Sequence, residues 1–209
     1  MAKIKAVLFD MDGVLIDAKD WHYEALNKAL RLFGTEISRY DHLVTFDGLP
    51  TKKKLEMLSL EGGFPRKLHG FINDLKQVYT MEMVYAKCKP SFNHQYTLSK
   101  LKEEGYHIAV CSNSVRNTIE IMMQKANLTQ YLDFFISNQD VTHGKPDPEI
   151  YQKAIQRLGL QPEECLIVED NENGIKAAIA SGAHLFKVET VDDVQFTAIM
   201  NRIKEIEHA

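Results

Sequence analysis

A run of apolar residues ending in two aspartates, one residue apart, constrains this chain more than any other feature. In Ala6-Val7-Leu8-Phe9-Asp10-Met11-Asp12-Gly13-Val14, four successive apolar residues read as a strand buried on both faces. Gly13 then lets the chain turn sharply. Ligands of open α/β sheets sit just beyond the carboxyl ends of strands, where Asp10 and Asp12 fall. Carboxylates this close repel each other unless a cation or a shared proton intervenes. Taken alone, an Asp-x-Asp at a strand end is equally an acidic turn with no chemical role.

The rest of the chain supplies the sheet. Apolar runs at 107–111, 134–136, 165–168 and 184–188 read as further strands. Helical spacing fills the gaps: a helix over 93–104, then one opened by Ser112-Asn113-Ser114 and carrying Val115, Ile119, Met122, Met123 and Ala126. Asp147-Pro148 starts another, Ile175, Ala178 and Ile179 mark a third ending at Gly182, and Phe196, Ile199, Ile203 and Ile206 mark the last. Strands alternating with helices imply a parallel sheet with right-handed crossovers. Between the first strand and Lys87 there is no convincing strand. Trp21, Ala25, Leu26, Ala29, Leu30 and Phe33 form one helical stripe, with Gly34 placed to stop it. A short helix covers 51–60. A longer one carries Leu68, Phe71, Ile72, Leu75, Val78 and Tyr79, with Lys76 and Glu82 on its exposed side. Lys89-Pro90 marks the return, because proline biases the residue before it away from helix. The expected organisation is an α/β core of residues 1–16 and 89–209, with residues 17–88 as an inserted all-helical unit.

Bulk properties narrow the function. The 209 residues are 44% hydrophobic and 26% charged with net charge −4, which suits a soluble globular protein and gives no sign of a nucleic-acid partner. The basic start Met1-Ala2-Lys3-Ile4-Lys5 leads into an apolar run that ends at Asp10, too short for a signal peptide, and no stretch is long enough to span a bilayer. Cys88, Cys111 and Cys165 are odd in number and lack metal-ligand spacing; Cys111 and Cys165 sit in apolar runs as small core residues. A cytoplasmic location fits.

Polar groups gather where strands end: Asp10 and Asp12 after the first, Ser112 and Asn113 after the second, Lys145 a short way past the third, Glu169 and Asp170 after the fourth. Each group alone is an ordinary cap, loop or turn. Together they offer a nucleophile, a second carboxylate, donors at a helix start, a cation and metal-binding oxygens. That inventory suits a phosphoryl group held by Mg²⁺.

In order, Asp-Met-Asp-Gly-Val, Val-Cys-Ser-Asn-Ser, Gly-Lys-Pro-Asp-Pro and Val-Glu-Asp-Asn-Glu-Asn-Gly resemble the four motifs of the haloacid dehalogenase superfamily. The likeness is closer to its β-phosphoglucomutase-like phosphatase branch, and it covers nearly the whole chain, including Trp21-His22-Tyr23-Glu24-Ala25. The resemblance implies a Rossmann-like parallel sheet with helices on both faces and a mobile helical cap. It implies Asp10 as nucleophile forming an aspartyl-phosphate, and Asp12 as the acid and then the base. Mg²⁺ would be held by the Asp10 carboxylate, the Asp12 carbonyl and Asp170, with Glu169 as ligand or support. Ser112 and the backbone at Asn113 would grip a transferring oxygen, and Lys145 would neutralise charge. Superfamily dehalogenases lack an aspartate at the position of Asp12, so dehalogenation is not expected. The resemblance also picks out His22, Thr51 and Lys52 as cap candidates. Mutases of the branch commonly place an arginine where Thr51 stands, which weakens a sugar-phosphate mutase as the alternative; a lysine of Lys52-Lys53-Lys54 can instead bind phosphate as a point charge. A phospho-receiver module shares the aspartate, hydroxyl, lysine and Mg²⁺, but not the helical insert. The expected protein is a monomeric Mg²⁺-dependent phosphatase acting on a small phosphorylated metabolite such as a sugar, amino or polyol phosphate, with no nucleic-acid or membrane partner.

Overall fold

The structure, a computed structural model, describes residues 3–208, so Met1 and Ala2 of the basic start, and Ala209, lie outside it. The chain divides into two compact units. One comprises everything up to Asp17 together with everything from Lys89 onward; the other is Ala18–Cys88. β1 (Ala6–Phe9) opens the first unit. The second holds α1 (Lys19–Arg31), the single turn α2 (Arg39–Asp41) leading into a π-helical turn at His42–Phe46, then α3 (Thr51–Gly62) and α4 (His69–Lys87). The first unit resumes with α5 (Phe92–Glu103), β2 (His107–Cys111), α6 (Arg116–Lys125) and β3 (Phe134–Ile136). It closes with α7 (Glu149–Leu158), β4 (Cys165–Glu169), α8 (Glu172–Ser181), β5 (His184–Lys187) and α9 (Phe196–His208). Among the described residues no helix is long and apolar enough to cross a membrane.

The strands form one sheet in the order β3-β2-β1-β4-β5, with every pair parallel. This is the Rossmann-like α/β arrangement. Alternation along β1 sends Ala6 and Leu8 to one face, where they join Ile150, Tyr151 and Ala154 of α7 and Ala177 and Ala178 of α8 in a single apolar cluster. Val7 and Phe9 point the other way and are equally buried, so β1 is covered on both faces. Phe9 pairs with Val110 of β2 and Val168 of β4, which puts the next residue, Asp10, level with Glu169. The chain leaves β1 toward opposite edges of the sheet, and such a switch point opens a crevice at the carboxyl ends.

Two boundaries differ from those expected. Ser112-Asn113-Ser114 does not open α6, which begins only at Arg116. The Ser112 N–H is held by the Ile136 carbonyl and the Ser114 N–H by Ser112 Oγ, so this segment stays a turn beyond β2. α1 stops at Arg31, before Gly34, and leaves Leu32 and Phe33 exposed. The Asn27 side chain bonds both the N–H and the carbonyl of Ile37, which fixes the chain folded back along α1.

The helical unit has its own core of Leu26, Ala29, Leu30, Ile37, Phe46, Leu55, Phe64 and Ile72. His42 is buried, its ring tilted 31° to that of Tyr23 with the centroids 4.6 Å apart. Burial, reinforced by Lys54 and opposed by Asp47, brings its pKa down from 6.5 to about 4. The sign follows: below about pH 6.5 the unfolded chain takes up a proton that the folded ring refuses. Stability from neutral His42 is therefore whole above that pH and declines as the pH falls toward about 4. Thermal melts of wild type and His42→Phe at about pH 7 and about pH 4.5 check this. The wild type is expected to lose more Tm than the variant, and equal losses would contradict it.

Candidate active site

Asp10 extends the ladder past β1, donating its N–H to the Val168 carbonyl at 3.0 Å. Its Oδ1 accepts from Lys145 Nζ at 2.6 Å, and the same ammonium donates to Glu169 Oε1 at 2.6 Å. All three residues are buried. Burial raises the Asp10 pKa well above that of an ordinary aspartate; Lys145 pulls it back, while Glu169, Asp170 and Asp12 add to the rise. Burial opposes charge on Lys145, yet Asp10 and Glu169 together hold its pKa above the usual lysine value. The lysine is thus a fixed cation set against several carboxylates.

Glu169, the last residue of β4, is saturated with donors. Oε1 accepts from Lys145 and from the Tyr151 hydroxyl at 2.7 Å. Oε2 accepts from the N–H groups of Asp170 at 3.0 Å and Asn171 at 3.3 Å. The space it fills is left open by Gly174 on α8, where a Cβ would stand 1.8 Å from Oε1. Tyr151 was not singled out in the sequence. The signal available was its place on the apolar stripe of α7 with Ala154 and Leu158, but a tyrosine there reads as core.

Carboxylate oxygens of Asp10, Glu169 and Asp170 lie within 4.8 Å of one another. In an octahedral Mg²⁺ shell opposite oxygens are about 4.2 Å apart, so a small contraction brings these to ligand distance. Hard oxygen donors suit Mg²⁺, and a dication would relieve the crowding of negative charge that burial aggravates at Asp10. The residues therefore fit the ion. Because Glu169 already has its oxygens engaged, it is better suited to support than to ligation, which leaves Asp10 and Asp170 as the carboxylates for direct binding.

The turn after β2 faces this cluster. The Asn113 side chain clamps the Lys145 backbone, accepting from its N–H at 3.0 Å and donating to its carbonyl at 3.2 Å. Gly144 makes room for that clamp, since a Cβ there would stand 2.6 Å from Asn113 Oδ1. Ser112 is buried, and its Oγ accepts from the Ser114 N–H at 3.0 Å. The Ser114 hydroxyl, which the sequence did not single out, donates to Asp12 Oδ2 at 3.1 Å. Asp12 itself sits in a tight turn in which the Met11 carbonyl accepts from Leu15 and Ile16, and Gly13 adopts φ 94°.

The cap candidates fall within the helical unit. His22, on α1, has Nδ1 3.1 Å from Lys76 Nζ on α4. The expectation that Lys76 lies on the exposed side of its helix is therefore corrected: it is buried, and its ammonium turns toward α1. Thr51 opens α3 and is half-buried, while Lys52 is exposed. Of the lysine run, Lys54 turns inward instead, one helical turn before Leu58 and beside the buried Leu55.

A family model described as "Haloacid dehalogenase-like hydrolase" matches residues 7–188. The chain belongs to the haloacid dehalogenase-like hydrolase family. Among curated relatives of this hydrolase, Pyrophosphatase PpaX of Bacillus mycoides is 31% identical over 182 residues, covering 83% of this chain and 78% of that protein. The Phosphorylated carbohydrates phosphatase of Thermotoga maritima is 28% identical over 187 residues, covering 86% and 82%. Among solved structures, a β-phosphoglucomutase from Clostridium difficile superposes with TM-score 0.84 over 99% of this chain and 100% of that one, at 20% identity. That likeness concerns the fold of this haloacid dehalogenase-like hydrolase.

Proposed function

We propose that this haloacid dehalogenase-like hydrolase is a Mg²⁺-dependent phosphatase that cleaves small-metabolite phosphomonoesters through an aspartyl-phosphate on Asp10. One observation carries the reading: a buried lysine 2.6 Å from both Asp10 and Glu169 at the switch point of the sheet, with Asp12 two residues on. Two relatives bearing phosphatase and pyrophosphatase names add to it.

In this reading Asp10 attacks phosphorus, and Lys145 offsets the negative charge that develops on the phosphoryl oxygens. Ser112 and the backbone at Asn113 grip a transferring oxygen. Asp12 protonates the departing oxygen as its bond to phosphorus breaks and the Asp10–phosphorus bond forms. It then takes a proton from the water that attacks the phosphoryl group on Asp10, returning both aspartates to their starting state. When bound by Asp10, Asp170 and the Asp12 carbonyl, Mg²⁺ would neutralise and orient the phosphoryl group. A cytoplasmic site of action fits a small soluble metabolite.

A panel of hexose, polyol and amino-alcohol phosphates together with pyrophosphate, assayed with and without Mg²⁺, tests this. Phosphate release from at least one monoester, lost on chelation and restored by Mg²⁺, is expected. Release from pyrophosphate alone would favour the second reading, which the PpaX relative suggests. Isomerisation of a sugar phosphate stimulated by its bisphosphate would favour a mutase.

A further inference from the structure

A side-chain hydrogen bond joins the turn after β2 to the turn after β1, from Ser114 Oγ to Asp12 Oδ2 at 3.1 Å. Ser114 is gripped through its backbone on both sides. Its N–H donates to Ser112 Oγ at 3.0 Å, and its carbonyl accepts from the Asn138 N–H at 3.2 Å, beyond the end of β3. The only part of Ser114 with rotational freedom is thus the hydroxyl, and it is spent on Asp12. Asp12 has the opposite problem: its backbone is fixed by the Met11–Ile16 turn, but a carboxyl group still rotates about its own bond to Cβ.

We propose that Ser114 is a positioning residue for Asp12: its hydroxyl holds Oδ2 and so fixes the direction in which Oδ1 exchanges a proton. This rests on the assignment of Asp12 as acid and base. With Oδ2 held by the hydroxyl, Oδ1 is the oxygen assigned to exchange the proton. The same bond pins the carboxyl plane, so the direction of Oδ1 is set as well. When the ester bond breaks, the Oδ1 proton passes to the departing oxygen and Asp12 becomes a carboxylate, still accepting from Ser114. When water attacks the phosphoryl group on Asp10, Oδ1 takes a proton back. Ser114 neither gains nor loses a proton in either step. Proton delivery needs reacting atoms within hydrogen-bond reach, so a freely rotating carboxyl delivers less often.

The test exploits the leaving group. An alkoxide needs its proton as the bond breaks, whereas a nitrophenolate leaves unprotonated. The quantity to measure is kcat/KM, which reports the step that forms the aspartyl-phosphate, for an alkyl phosphate hydrolysed by the wild type and for p-nitrophenyl phosphate. Ser114→Ala is expected to lower kcat/KM for the alkyl ester by about tenfold or more relative to its effect on the aryl ester. Ser114→Thr, which keeps the hydroxyl, is expected to restore most of the difference. A merely structural role would lower both esters alike, and that outcome overturns the proposal, as would a Thr variant no better than Ala. Asp12→Asn separates the two levels. If it too lowers both esters alike, the acid assignment fails. If it discriminates between esters and Ser114→Ala does not, the assignment stands and the role of Ser114 falls.

Discussion

Asp10→Asn is expected to reduce phosphate release by at least about a thousandfold while leaving the fold intact, because the amide keeps the shape of the side chain and removes the proposed nucleophile. Stability moves the other way. The folded protein raises the Asp10 pKa above its ordinary 3.8, mainly by burial. A carboxyl with a raised folded pKa contributes stability below its unfolded pKa and loses it as pH climbs through the folded value. At neutral pH, well above its unfolded pKa, Asp10 in metal-free protein therefore contributes less to the fold than it does in acid. Asparagine cannot ionise, and Lys145 keeps Glu169 as a partner at 2.6 Å. The metal-free variant should melt at or above the wild-type Tm. An inactive variant that also melts lower would show that Asp10 holds the fold together, and its inactivity would then say little about chemistry.

Gly174→Ala sets two effects of different size against each other. Alanine is better than glycine within a helix by about 1 kcal/mol, and the φ of Gly174 is not in the left-handed region, so local propensity favours the change. Against it stands the Glu169 carboxyl group, whose atoms would lie 1.8 to 2.3 Å from the new Cβ. Glu169 would have to move off Lys145, Tyr151 and two backbone N–H groups, and disrupting a buried ion pair costs about 3–5 kcal/mol. The clash wins. Gly174→Ala should lower the unfolding free energy by about 2 kcal/mol or more and reduce kcat, since Lys145 loses one of the carboxylates that hold it. Gly70→Ala in α4 is the control: nothing lies within 4 Å of its would-be Cβ, so it should be neutral or slightly stabilising. Denaturant titration of both variants checks the pair. Equal behaviour would mean that Glu169 relaxes without cost.

The sheet was legible because each of its strands is a short apolar run bounded by polar turns, and the parallel order follows from helices lying between them. The groups at the strand ends were legible for the same reason: once Phe9, Val110 and Val168 are in register, Asp10 and Glu169 must be neighbours. What the sequence did not show was the partner of each polar atom. Lys76 stands four residues after Ile72 on the buried face of α4, yet its charge reads as solvated; it buries its stem and turns its ammonium to His22. Tyr151 reads as core until its hydroxyl is seen on Glu169. Ser112-Asn113-Ser114 has the composition of a helix start, and only the hydrogen bonds to Ile136 and within the turn reveal that α6 waits until Arg116. For Lys76, Tyr151 and Ser112 the deciding partner came from a distant part of the chain, which local spacing does not encode.

The central claim, that Asp10 carries the phosphoryl group, is tested most directly by trapping it there. Asp12→Asn should still react with p-nitrophenyl phosphate, whose leaving group needs no proton, but should be slow to hydrolyse the product on Asp10 for want of a base. Quenching after one equivalent of nitrophenol has appeared, then reducing with borohydride, converts an aspartyl-phosphate into homoserine. Peptide mass spectrometry should find homoserine at position 10. Stoichiometric nitrophenol release with Asp10 unmodified, or the label on another residue, would contradict the claim.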